Sequence, residues 1–161
     1  MTKTNKKARV KHSLVIRTFG NFECFIDGLP ARFRYTKTKE LLAYLIDRKG
    51  AMVTDTEIRA ILWKGEKGRR SYIKNLKADL IRVFSEADLR HVIISYRGLT
   101  GVAADRIDCD LFDLTYRGKP AFGAYWGEYM SQYSWGEYTR RNLDRVYDTE
   151  LASKDTELSP T

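Results

Sequence analysis

Cysteine is scarce: Cys24 and Cys109 are the only two in 161 residues, too few for a disulfide scaffold. A reducing cytoplasm is the expected setting. Long apolar runs are missing too, the longest being Leu41 to Ile46, far short of the roughly 20 residues that span a bilayer. No basic-then-apolar segment with a small-residue cleavage site opens the sequence. No membrane partner is expected. Histidine is limited to His12 and His91, and neither has a Cys or acidic residue at metal-ligand spacing, so no zinc or other metal site is expected. Gly65-Glu66-Lys67-Gly68 lacks the GK[ST] ending of a P-loop, and neither a dinucleotide fingerprint nor a nucleophile elbow is present. The acidic run Asp105, Asp108, Asp110, Asp113 fails as a calcium loop. Counted from Asp108, Phe112 occupies the fifth position, where an oxygen ligand belongs, and no glycine follows at the sixth. Helix capping and strand-end solvation account for those carboxylates. With no nucleophile, base or metal constellation, the chain reads as a non-enzyme with no cofactor and no evident small-molecule ligand.

What the sequence has is cationic charge, unevenly placed. Lys and Arg number 29 against 21 acidic residues, a formal net charge of +8. Residues 1–12 carry net +5, residues 13–105 net +6 and residues 106–161 net −3. The first two-thirds therefore suit a polyanionic partner, although the same basicity also serves plain solubility.

The polar stretch 1–12 reads as a basic flexible arm or linker, and 152–161 as a disordered tail. From Ser13, three short antiparallel strands are expected at Leu14–Phe19, Phe22–Ile26 and Leu29–Arg34, separated by Gly20-Asn21 and Asp27-Gly28. Thr36 or Thr38 caps a helix whose Leu41, Leu42, Leu45 and Ile46 share one face, with Arg48, Lys49 and Gly50 at its stop. Thr54-Asp55-Thr56-Glu57 is a capping box that opens a second helix bearing Ile58, Ile61, Leu62 and Trp63. After Gly65–Gly68 a third helix is expected over 69–84, followed by strands at His91–Tyr96 and Gly101–Ala104 around the tip Arg97-Gly98-Leu99-Thr100. The expected fold is α+β: a winged helix-turn-helix over 13–105, with an N-terminal three-stranded antiparallel sheet and a C-terminal hairpin wing.

A small aromatic and helical extension is expected over 106–151. It comprises a short helix at Asp110–Tyr116, seven aromatics between Phe122 and Tyr138, and a last helix from Trp135 to about Leu151 behind a Ser134–Glu137 capping box. Tyr125, Tyr129 and Tyr133 recur every four residues within the acidic third of the chain, which favours core packing or a protein interface over base stacking.

On the third helix, Ile73, Leu76, Leu80 and Phe84 form one stripe, and Lys67, Ser71, Lys74, Asn75, Ala78 and Arg82 lie opposite. Arg70 and Lys77 fall nearer the apolar boundary. Lys and Arg neutralise phosphates or donate to guanine, and Asn pairs with the N6/N7 edge of adenine. The DNA-binding candidates are Lys67, Arg69, Arg70, Ser71, Lys74, Asn75 and Lys77, with Arg97 at the hairpin tip. Taken alone, this face reads first as the solvated side of an amphipathic helix, and the tip glycines equally serve turn chemistry. The helix before it, the hairpin after it and the basic arm in front favour DNA.

The sequence also resembles a known family, carried by Arg17-Thr18-Phe19-Gly20-Asn21-Phe22-Glu23, Thr38-Lys39-Glu40-Leu41-Leu42-Ala43-Tyr44-Leu45, Asp47-Arg48-Lys49-Gly50 and Trp63, and then by Asp105-Arg106-Ile107-Asp108-Cys109-Asp110 and Gly127-Glu128-Tyr129-Met130-Ser131-Gln132-Tyr133-Ser134-Trp135. These stretches are similar to the effector domains of OmpR/PhoB-type response regulators, in the SARP-like branch joined to a bacterial transcriptional activator segment. The resemblance implies a double-stranded DNA-binding transcriptional regulator of two-component type, with the third helix in the major groove. Its groove-facing positions would be Arg70, Ser71, Lys74, Asn75 and Lys77, with Arg97 on the wing. RNA polymerase or a second copy of the chain are further expected partners. With only a short basic arm before the first strand, an isolated effector domain or stand-alone protein is expected. The rival expectation is a protein-interaction module that keeps the winged-helix frame and binds through the aromatic C-terminal segment.

Overall fold

The computed structural model describes residues 12–64 and 70–157, with the side chains of Arg70, Ser71 and Glu157 left out. The candidates Lys67 and Arg69, most of the N-terminal arm and residues 158–161 lie outside the described residues, while 152–157, expected as a disordered tail, continue the last helix. The chain is α+β. Strands β1 (Leu14–Arg17), β2 (Glu23–Ile26) and β3 (Leu29–Pro30) lead to helix α1 (Thr36–Asp47). Strand β4 (Val53–Thr54) then precedes α2 (Asp55–Leu62) and α3 (Arg70–Glu86). A hairpin of β5 (Ile93–Tyr96) and β6 (Leu99–Val102) follows, then β7 (Asp108–Cys109), α4 (Asp110–Tyr116) and α5 (Glu137–Glu157).

Two sheets organise these elements. The first has the order β3-β2-β1-β7, antiparallel except that β7 runs parallel to β1, Ile16 facing Cys109. Three N-terminal strands are present as expected, and the fourth comes from beyond residue 105. The first and third strands are shorter than expected, and the backbone donors just beyond them turn to carboxylates from other elements. Thr18 and Phe19 donate to the Asp110 carboxylate at 2.9–3.0 Å, and Arg34 and Tyr35 donate to Asp79. The second sheet has the order β4-β6-β5, so the two-residue strand between α1 and α2 ties the hairpin to the entrance of α2.

Helix ends follow local chemistry in part. Thr54 Oγ1 accepts the Glu57 N–H at 3.1 Å, which is the N-cap half of the expected capping box. The α1 cap differs from expectation: Tyr35 holds the N-cap position without a side-chain bond, and Thr38 is buried one turn in. Ser134 also does not cap the last helix. It opens a 3-10 turn, while Glu137 pairs with Arg140 at 2.6 Å.

One core runs through the whole arrangement. Leu41, Leu42, Leu45 and Ile46 of α1 are fully buried with Ile16, Phe22, Leu80 and Phe84, and Ala121, Tyr125, Tyr129, Met130 and Leu143 of the C-terminal segment join the same cluster. The four-residue tyrosine spacing is not helical: the segment is turns and loops, touching the first sheet through an isolated Phe19–Tyr129 bridge. Gln132 completes that attachment with both ends of its amide, accepting from Phe22 N at 2.8 Å and donating to Phe22 O at 3.0 Å.

Candidate nucleic-acid interface

Helix α3 exists because its apolar stripe has somewhere to go. Ile73, Leu76, Leu80, Val83 and Phe84 are buried, which turns Lys74, Asn75 and Ala78 out to solvent. Arg70 and Ser71 form the first helical residues by backbone. The exposed face therefore carries a cation, an amide and a small residue in sequence positions 74, 75 and 78, donors suited to groove edges with room for close approach.

The flanks of this face are fixed by two ion pairs of different kind. Lys77 is half-buried, and its ammonium is paired with the Asp55 carboxylate in the first turn of α2. That pair holds the two helices together and already matches the Lys77 charge. On the other flank Asp79 is only 4% exposed. Its carboxylate accepts from Arg82 at 2.7 Å and from the Arg34 N–H at 2.8 Å, with the Tyr35 N–H at 3.3 Å. Burial would raise the Asp79 carboxyl, but the Arg82 guanidinium and the two backbone donors outweigh it and hold it below the ordinary carboxylate value. Arg82 also reaches Glu86 at 3.2 Å, so much of its charge is spoken for.

The hairpin supplies the remaining candidate. Tyr96 pairs with Leu99, so the turn is the two residues Arg97-Gly98, shorter than expected, with φ of 48° and 76°. Positive φ at both positions is what a tight type I′ connection needs, and glycine meets it at little cost. Arg97 sits exposed at the tip, its guanidinium carbon 5.3 Å from the Tyr96 ring centre.

Three residues beside α3 were not picked out by the sequence. Tyr72 is half exposed on the helix, and Arg34 and Tyr35 line a shallow cleft with Asn75, Ala78 and Arg82. Alternation of Arg32, Phe33 and Arg34 was the available signal, and it reads as strand. The aromatic segment tells the opposite story: Tyr125 and Tyr129 are core residues, leaving Trp126 and Tyr138 as its large exposed rings.

No family model matches the chain, and no curated protein is significantly similar to it. Among solved structures it is similar to Mycobacterium tuberculosis EmbR, determined in complex with a low-affinity phosphopeptide. The TM-score is 0.56 at 23% identity, over 63% of this chain and 28% of the EmbR chain. The likeness is one of fold, and the chain spans under a third of the EmbR length.

Proposed function

We propose that the chain is a sequence-specific double-stranded DNA-binding transcriptional regulator. In this reading α1, α2, α3 and the β5–β6 hairpin are a winged helix-turn-helix of the OmpR/PhoB type, in its SARP-like branch. Helix α3 enters the major groove with Lys74 and Asn75 toward base edges, Lys67, Arg69, Arg70 and Ser71 are further proposed DNA contacts, and Arg97 meets the backbone or minor groove. Lys77 belongs to the same helix but serves it chiefly through Asp55.

The observation that carries this reading is the solvent-exposed Lys74–Asn75–Ala78 face, set on a helix whose opposite side is buried in the core. The element order supports it, because a short strand between α1 and α2 pairs with the hairpin that follows α3. The burial of Tyr125 and Tyr129 speaks against the aromatic segment as the main binding surface. RNA polymerase or a second copy remain proposed partners of the bound protein. Selection from a random duplex library, with sequencing of the bound pool, tests the proposal. Enrichment of a shared motif is the expected result, and a bound pool no different from the input contradicts it.

A further inference from the structure

Lys77 and Asp79 leave α3 two residues apart, about 200° around the helix, so they mark its two flanks. The Lys77 flank is closed by α2. The Asp79 flank is closed by the loop before α1, because Arg34 and Tyr35 give their backbone N–H groups to the buried Asp79 carboxylate. The anchor is backbone to carboxylate, so it fixes the loop while leaving both side chains outside. Tyr35 is 38% exposed and the Arg34 guanidinium carbon lies 5.6 Å from its ring centre. Among the described residues no carboxylate is paired with Arg34, whereas Arg82 next to it is matched by Asp79 and Glu86. The cleft between them, about 180 Å³, opens beside Asn75 and Ala78 on the exposed face.

We infer that Arg34, steadied against Tyr35, contacts a phosphodiester on the strand bordering the groove that α3 enters. It is a positionally fixed phosphate contact outside the helix-turn-helix and the hairpin. The inference rests on the DNA-binding reading above. A guanidinium is suited to the role because its forked donors fit phosphate oxygens, and an arginine held on an aromatic face loses less freedom on binding than a free one. Asp79 is the positioning residue: it registers the loop against α3, so that the phosphate contact and the base contacts are set at one fixed spacing. A phosphate contact of this kind carries no sequence information itself, and its loss weakens all duplexes alike.

The test uses the full chain and a short mixed-sequence duplex, with affinity measured across a salt series, beside Arg34→Ala and Arg34→Lys. Arg34→Ala is expected to weaken binding several-fold and to lower the log–log salt slope by about one, while the order of preference among duplexes is unchanged. Arg34→Lys is expected to restore the slope. Because the alanine variant keeps the backbone N–H that anchors the loop, its thermal unfolding should match that of the parent. A slope unchanged by Arg34→Ala, in a parent protein that binds DNA, overturns this inference alone. A parent protein that binds no duplex overturns the DNA-binding reading itself.

Discussion

The Tyr129 hydroxyl donates to the Asp47 carboxylate at 2.7 Å, joining the loop of the C-terminal segment to the last residue of α1 across 82 positions of sequence. Thr139 Oγ1 meets the same carboxylate oxygen at 2.7 Å. Tyr129 is 2% exposed, and burial followed by the Asp47 charge holds its hydroxyl protonated well above the usual tyrosine range. The bond to Asp47 therefore keeps its donor proton at neutral pH. It makes the C-terminal segment a structural part of the unit that presents α3.

Tyr129→Phe removes that donor and leaves Asp47 with one fewer partner in a partly buried place. A hydrogen bond to a charged group contributes roughly 1.5–3 kcal/mol, so the variant should unfold several degrees below the parent, at about 2–4 °C per kcal/mol for a chain of this size. Calorimetry should show one transition for both proteins. An unchanged midpoint would refute the contact, and two transitions would refute the shared core.

Asp79 predicts a pH dependence. Its folded-state pKa lies below the ordinary Asp value of about 3.9, so its contribution is complete above that value and lost as the pH falls through the folded pKa. Asp79→Asn should lower stability near neutrality by roughly 1.5–3 kcal/mol and flatten this acid limb of the stability curve. Denaturant midpoints measured from pH 7 down to pH 3 check both effects. A variant whose acid limb matches the parent would show that the Asp79 carboxyl titrates alike in the folded and unfolded chain, contrary to the lowered value.

Gly20 has φ of 89°, and a Cβ there would lie 3.1 Å from the exposed Trp126 ring. The ring can move, so the backbone conformation sets the cost: Gly20→Ala should lose about 1–2 kcal/mol. Urea unfolding reads this directly. A neutral result would mean that the β1–β2 connection relaxes out of the left-handed region.

Much of the fold could be read from the sequence because the deciding interactions are local. The Thr54–Glu57 cap, the Arg48–Gly50 stop, the short helix at 110–116 and the apolar stripe of α3 are written within a few residues of where they act. What the sequence hides is pairing at a distance. Asp108 and Cys109 make too short a strand to alternate, yet they complete the first sheet by lying parallel to β1. Asp79 looks like one more polar residue on an amphipathic helix until the chain brings Arg34 and Tyr35 onto it from 45 and 44 positions away. The face bearing Lys74 and Asn75 was readable by period, while its flanks were not, because Asp55 and the loop before α1 come from other elements.

The most direct measurement is duplex binding by the parent and by Lys74→Ala/Asn75→Ala across a salt series and a set of selected and scrambled sequences. If about five phosphates are neutralised, the parent should give a log–log slope of roughly −4 to −5 and a clear preference for the selected sequences. The double variant should lose that preference while keeping much of its bulk affinity. A double variant that retains the parent's sequence preference, or a parent that binds no duplex at low salt, would contradict the account.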